Sequence, residues 1–276
     1  MYNDHLGFLT FYVYICDPTL GGSYGVGGFR TLSYLSGDYT AVPAGGSYTT
    51  ISNLIQSGQA FFVRSNGIAG AINFKESYKT DTSKLASRNN FTSEIPILQT
   101  TLKGGTSGAT KILLDGALAI FGDEYSNDVD FDDANKFINV GVNTGFVRSG
   151  KILAVERRQL PTATDTMHLN FSGAKQLSYT WSINMENMEQ GGVEAWLWDK
   201  FLNTTSPLVI SGNTDIDFVV DNTPASIASD RFKIIFTKII LPVRLIGITA
   251  LRKTDKTISV SWKVENEINV TNYTLE

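Results

Sequence analysis

The residues with the clearest potential for metal chemistry form an acidic cluster. Its carboxylates belong to Asp123, Glu124, Asp128, Asp130, Asp132 and Asp133. Calcium takes six to eight oxygen ligands, and Asp128, Asp130 and Asp132 have the alternating spacing that opens an EF-hand loop. The motif then fails, because its sixth position is Asp133 rather than Gly and its twelfth is Asn139 rather than Glu. Two interpretations stay open: a calcium site on Asp128, Asp130 and Asp132, or a solvated acidic loop that caps a short helix.

Two tryptophans at alternate positions form the second candidate site. Trp196 and Trp198 share one face of a predicted strand with Glu194, while the aliphatic residues at positions 193, 195 and 197 occupy the other face. On an exposed face, a pair of indoles can stack on sugar rings or on another apolar partner. The alternative is that both tryptophans pack under a loop or a neighbouring domain.

The sequence offers little support for catalysis. Its two histidines are His5, near the terminus, and His168, on the polar face of a predicted strand, and no Gly-x-Ser-x-Gly elbow occurs. The glycine-rich residues 21–28 lack the Lys-Ser/Thr pair and the helix of a phosphate-binding loop, so they are interpreted as a turn or strand-edge loop. Nothing singles out two of the 27 acidic residues as a glycosidase pair. We therefore interpret the chain as non-enzymatic, with calcium as the one cofactor left open.

Composition excludes several partners. The net charge of −4 and the pI near 5.3 argue against a nucleic-acid binder, since no basic stripe is available to neutralise phosphates. The lone Cys16 rules out an intrachain disulfide and a cysteine-based zinc site. No apolar run approaches the roughly 18 residues of a membrane span, and the N-terminus does not look like a signal peptide.

The elements that carry these residues are predicted to be strands almost throughout. The clearest strand places Tyr179, Trp181 and Ile183 on one face, with serine and threonine between them. Similar alternating runs begin at Leu9, Met167, Ile216 and Phe232. One dry face and one wet face is typical of antiparallel sheets in a sandwich. The predicted fold class is all-β, with antiparallel β-sandwich or jelly-roll modules.

Two local predictions accompany this fold class. In the first strand, Val13 and Ile15 are expected to face the core, and Tyr12 and Tyr14 the opposite, wet face. The best helical signal is one or two turns within residues 128–137, which begin with Asp and carry Lys136 late.

Turn-rich and polar stretches predict the domain boundaries. Residues 1–80 are expected to form a β-sandwich unit that is itself incomplete, and residues 81–95 a polar linker. Residues 96–240 have room for a complete sandwich or jelly roll. Residues 241–276 are expected to open a further β-module without finishing it.

The last segment carries an apolar strand face that needs a cover. Ile258, Val260, Trp262 and Val264 alternate with polar residues, which is the pattern of a half-buried strand. The predicted third strand of this module lies at residues 269–275. Three strands cannot close a two-sheet sandwich, so their apolar face and open edge must be covered by something else. We expect this cover to come from another copy or from adjacent domains of a longer chain.

Short segments along the chain resemble one lineage of exported proteins. They are Phe11-Tyr12-Val13-Tyr14, Asp17-Pro18, Leu20-Gly21-Gly22, residues 25–29, 57–63, 130–136, 153–157, 197–199, 231–236 and 265–267, Leu241-Pro242-Val243, and Trp262. The chain is similar in these segments to large secreted proteins of Bacteroidetes-type bacteria, and its end resembles the fibronectin-III-like module that often precedes a type IX secretion sorting domain. The sorting domain itself is absent from this sequence. The resemblance implies an extracellular or cell-surface location, and such modules accompany adhesins and enzymes alike.

These observations favour a non-enzymatic structural or adhesive protein. Strand addition between neighbouring subunits would then build a surface filament. The alternative is a carbohydrate-binding accessory region of a secreted multidomain protein that holds polysaccharide on Trp196 and Trp198.

Overall fold

The chain forms two compact units, Met1–Thr237 and Lys238–Glu276. A computed structural model describes residues 12–21, 27–35, 38–45, 55, 59–64, 72–73, 75–79, 94–105, 111–175, 177–239 and 244–265. Within these ranges the elements are strands and a few short 3-10 helices, so the predicted all-β fold class is confirmed. Among the same residues, no helix is long and apolar enough to cross a membrane.

A small antiparallel sheet is built from the N-terminal strands. These are β1 (Tyr12–Asp17), β2 (Gly28–Leu35), β3 (Asp38–Val42) and β4 (Phe61–Arg64). Their order in the sheet is β3-β2-β1-β4. Every neighbouring pair is antiparallel.

The remaining strands of the first unit form one large mixed sheet. They are β5 (Ile97–Gly105), β6 (Ile112–Phe121), β7 (Ala134–Asn135), β8 (Asn143–Arg148), β9 (Lys151–Arg158), β10 (Thr166–Ser172), β11 (Ser178–Glu186), β12 (Val193–Asp199), β13 (Thr204–Leu208), β14 (Gly212–Val219) and β15 (Phe232–Lys238). Their order is β13-β12-β15-β10-β8-β9-β6-β5-β11-β14, with β7 beside β9.

One hydrophobic cluster joins both halves of this sheet. Trp181 of β11, Leu197 of β12 and Phe232 of β15 are at most 2% exposed and belong to the same cluster, although β11 lies far from the adjacent strands β12 and β15 in the sheet order. The sheet therefore folds over itself like a sandwich. The inward faces that alternation predicts for β10, β11 and β15 are buried here, which confirms the period-2 interpretation of these strands.

A second cluster lies between the small sheet and the large one. Tyr12 and Tyr14 pack with Leu118, Ile120 and Val155. The prediction that the two tyrosines face water is wrong: they are 3% and 1% exposed, because they meet the outer face of β6 and β9. These two strands pair in parallel and are covered on both sides, as parallel pairs usually are.

This shared cluster joins residues from two of the predicted domains. The predicted units 1–80 and 96–240 contribute side chains to one core, and both lie in the compact unit that ends at Thr237. The predicted linker, residues 81–95, lies outside the described residues except for Glu94 and Ile95, and Ile95 packs against the same cluster.

The predicted helical turns within residues 128–137 are not formed, and that prediction is wrong. A turn at residues 131–132 leads directly into β7. The Asp132 N–H donates to Asp130 Oδ1 at 2.9 Å, and the Asp130 N–H donates to Asp133 Oδ2 at 3.0 Å. Aspartate side chains thus take backbone donors that a helix would have used.

The second unit contains one antiparallel hairpin among its described residues. Its strands are β16 (Arg244–Arg252) and β17 (Ile258–Glu265), and a β-bulge lies between Leu245 and Gly247. Ile248 pairs with Trp262 in this register. The predicted third strand at residues 269–275 and Leu241-Pro242-Val243 lie outside the described residues.

Candidate binding surfaces

The tryptophan pair lies on the outward side of β12. Ala195 and Leu197 are buried in the sandwich core, while Glu194 is exposed and Trp196 and Trp198 are half-buried. The structure thus brings the three predicted residues together on one face, because strand alternation sends every second side chain outward.

Strand β15 fixes both indoles from the side. Trp196 Nε1 donates a hydrogen bond to Thr237 Oγ1 at 3.1 Å. The Lys233 ammonium lies 4.0 Å from the centroid of the Trp198 ring, in a cation–π contact. One face of Trp198 is therefore already in contact with a cation, and a ligand that stacks there must displace Lys233.

Neighbouring strands extend this surface. Pro207 of β13 lies opposite Trp196, and His168 of β10 lies opposite Lys233. We call Trp196, Trp198, Lys233, Pro207 and His168 the tryptophan face. It combines aromatic and aliphatic surface with hydrogen-bond donors, a combination that suits the ring faces and hydroxyls of a sugar. The other histidine, His5, lies outside the described residues.

The acidic loop is held together by its own backbone and by arginines. Asp133 is buried, and its carboxylate accepts the N–H of Asp130 at 3.0 Å and the N–H of Arg157 at 2.8 Å. Arg148 Nη2 lies 2.5 Å from Asp133 Oδ2. In the part of the chain that the structure describes, which includes Asp128, Asp130 and Asp132, no group of three or more His, Cys, Asp or Glu residues is placed to hold a metal ion. The three predicted calcium ligands are thus not brought together as a ligand set.

A buried ionic network lies beneath this loop. Arg148 also pairs with Glu156 at 3.1 Å, and Arg158 approaches the same carboxylate at 3.5 Å. Burial raises the pKa of Asp133 and the pKa of Glu156, and the charge of Arg148 opposes both shifts. These pairs anchor the loop to β8 and β9.

Arg157 connects the small sheet to the acidic loop through hydrogen bonds. Its guanidinium donates to the Tyr12 hydroxyl at 2.6 Å, to the Asp132 carbonyl at 3.1 Å and to the Tyr34 carbonyl at 2.7 Å. Sequence reasoning missed the role of Arg157 and Glu156. The available signal was their position directly after the apolar run of β9, within the same buried strand, where an unpaired charge would be costly.

The described ends of the glycine-rich segment surround a buried ion pair. Arg30 Nε lies 2.6 Å from Asp17 Oδ2, and neither side chain is exposed. Asp17 also accepts the Thr19 N–H at 2.9 Å within the turn after β1. Gly27 has a φ of +70° immediately before β2, whereas residues 22–26 lie outside the described residues.

The hairpin of the second unit presents the predicted assembly residues on one face. Ile258, Val260, Trp262 and Val264 lie opposite Arg252, Ala250, Ile248 and Leu245, respectively. Ile258 is 66% exposed, Ile248 and Leu245 are each 58% exposed, and Trp262 is 42% exposed. Val260 and Val264 are half-buried. We call these residues, without Arg252, the apolar hairpin face.

Comparison of the chain with protein-family models, with curated proteins and with solved structures found no match to any of them.

Proposed function

We propose that this chain is a non-enzymatic, extracellular structural or adhesive β-protein. Its second unit assembles by strand addition with other copies of the chain, or with adjacent domains of a longer chain, to form a surface filament. The observation that carries this proposal is the apolar hairpin face, on which Ile258, Ile248 and Leu245 are each more than half exposed.

The physical argument concerns the stability of an isolated hairpin. A two-stranded sheet is marginally stable in water, and further strands or a packed face are needed to hold it. Among the described residues, β16 and β17 pair only with each other. Covering such a face and edge lowers the free energy, since burial of apolar surface contributes about 25 cal/mol per Å². Strand addition satisfies both requirements at once.

Electron microscopy and light scattering of the full chain test assembly. We expect filaments or a concentration-dependent mass for the wild type, and a monomer for Ile248→Lys, which places a charge on the apolar hairpin face. Thr249→Lys is the matched control, because Thr249 is the next residue and lies on the opposite face, paired with Ser261. A wild type that stays monomeric at all concentrations contradicts the proposal, as does normal assembly of Ile248→Lys.

A second candidate function is polysaccharide binding on the tryptophan face. It is favoured by the two half-buried indoles that lie side by side on the outward side of β12. Each well-placed aromatic contact contributes roughly 0.5–1.5 kcal/mol beyond area burial. Adhesion to a glycan surface would also agree with the first function.

Tryptophan fluorescence titration with a panel of soluble polysaccharides tests this candidate. We expect binding that is lost in the Trp196→Ala, Trp198→Ala double variant. Lys233→Ala should bind more tightly than the wild type, because it removes the cation that lies against the Trp198 ring. Absence of binding across the panel, or unchanged binding by the double variant, would exclude the tryptophan face.

A further inference from the structure

Among the residues that the structure describes, one end of the large sheet is a long strand with an open edge. Strand β14 (Gly212–Val219) pairs with β11 through eight consecutive residues without a bulge. In the described part of the chain, β11 is its one sheet neighbour. A straight edge of this kind offers a row of backbone N–H and C=O groups to another strand.

The two faces of β14 differ sharply in character. Phe218 is 6% exposed in the core and Ile216 packs against the same cluster, whereas Asp215 and Asp217 point outward and are exposed. Asp217 pairs with Lys111 at 2.6 Å. Asp215 accepts hydrogen bonds from Ser182 and Asn213, and within the described residues no ion pair to a lysine or arginine is formed. These hydrogen bonds lower the pKa of Asp215, so it is ionised at neutral pH.

Strand β17 has the matching alternation. Ile258 and Val260 lie on its apolar side, while Ser259, Ser261 and Lys263 lie on its polar side. Placed beside β14, the apolar side of β17 would continue the Phe218 face, and Lys263 would lie on the same side as Asp215. A shift of one residue would invert both faces, so the pattern specifies the register strongly.

The hairpin and the rest of the chain carry opposite net charges. Residues 244–265 contain five Lys or Arg and two Asp or Glu residues, a net charge of +3, whereas the whole chain has a net charge of −4. The rest of the chain therefore carries −7. Opposite charges on two copies raise the rate at which the hairpin of one copy meets the first unit of another.

We infer that β17 of one copy adds to the open edge of β14 of a second copy, with Lys263 facing Asp215. The inference rests on the proposed function and names the surface that accepts the hairpin. In this contact one copy supplies the donor strand β17 and the other supplies the acceptor edge β14, so the contact is head-to-tail. Repetition of a head-to-tail contact gives a ring or an open filament.

Disulfide trapping tests the contact directly. In a Cys16→Ser background, which removes the exposed native cysteine, the pair Asp215→Cys and Lys263→Cys should give a ladder of dimers and higher multimers after mild oxidation. Asp215→Cys with Lys253→Cys is the matched control and should give few cross-links, because Lys253 lies in the turn beyond β16. A disulfide within one monomer, or an equal ladder from the control pair, overturns the inference.

Charge exchange supplies a second readout that does not depend on oxidation. Lys263→Glu and Asp215→Lys should each raise the concentration for half-maximal assembly about ten-fold, and their combination in one chain should restore most of it. If the wild type assembles and these variants assemble equally well, the acceptor edge is wrong while the proposed function stands. If the wild type does not assemble at all, the proposed function itself fails.

Discussion

Arg231 and Asp199 form a buried, two-point ion pair beneath the tryptophan face. Arg231 Nε lies 3.0 Å from Asp199 Oδ1, and Arg231 Nη2 lies 2.7 Å from Asp199 Oδ2. The guanidinium also lies over the rings of Phe201, Phe218 and Phe232, at 4.9, 5.0 and 4.8 Å from their centroids. One side chain therefore connects β12, β14 and β15.

Replacement of Arg231 should destabilise the first unit strongly. Arg231→Met leaves the Asp199 carboxylate without its cation, and loss of one member of a buried pair costs about 3 to 5 kcal/mol. Urea denaturation followed by tryptophan fluorescence measures this loss. Lys200→Ala is the control, because the Lys200–Asp230 pair is exposed and should contribute less than about 1 kcal/mol. Equal losses of unfolding free energy for the two variants would contradict the stabilising role of the buried Arg231–Asp199 pair.

A comparison of two glycines should separate steric conflict from backbone strain. Gly27 and Gly150 have φ values of +70° and +73°. A Cβ on Gly27 would lie 2.8 Å from the Asp17 carbonyl oxygen, whereas a Cβ on Gly150 meets nothing within 4 Å. Gly150→Ala should therefore cost about 1 kcal/mol from strain alone, and Gly27→Ala clearly more. Thermal unfolding measures both, and a Gly27→Ala variant as stable as Gly150→Ala would contradict the close contact.

Removal of the N-terminal sheet should prevent the large sheet from folding well. Residues 96–237 alone would expose Leu118, Ile120 and Val155, which Tyr12 and Tyr14 cover in the complete unit. We expect this fragment to bind a hydrophobic dye and to lose cooperative unfolding. Residues 1–237, which lack only the second unit, should unfold cooperatively and at the same temperature as the first unit of the full chain. A cooperative melt of the shorter fragment would show that the two sheets are independent.

The stability of the first unit should depend on the protonation of Glu156. Burial raises its pKa in the folded state above the ordinary value of a glutamate carboxyl group. The folded state therefore holds this proton more tightly than the unfolded state, and the stabilisation is lost as the pH rises through the raised pKa. The free energy of unfolding of the wild type should fall relative to that of Glu156→Gln as the pH rises above 4.5. Parallel urea titrations at several pH values measure this difference, and a difference that does not vary with pH would contradict it.

Strands with one wet face could be predicted from the sequence, and strands covered on both sides could not. In β11, serine and threonine separate Tyr179, Trp181 and Ile183, so the period of two is visible. In β1 both faces are apolar or aromatic, and the direction of Tyr12 depends on β6 and β9. The local sequence of a strand does not show whether the outer face of another sheet will pack against it.

The same distinction holds for the candidate surfaces. Alternation places Trp196 and Trp198 on one face of β12, but the Lys233 that lies over Trp198 comes from another strand. The hydrogen bond between Arg157 and Tyr12 joins residues that are 145 positions apart in the sequence, and the hydrogen bond between Arg231 and Asp199 joins residues that are 32 positions apart. Such long-range pairs leave no spacing signature, and only the charged residues beside an apolar run indicate that some partner is needed.

The contact between the Tyr12 hydroxyl and the Asp132 carbonyl spans 120 residues of chain. During synthesis β1 leaves the ribosome long before β6 and β9. Its tyrosines therefore stay exposed until those two strands have been synthesised. Chains dominated by such distant pairings fold slowly and stay prone to aggregation meanwhile. Production of this protein should therefore depend on chaperone protection of the nascent N-terminal strands.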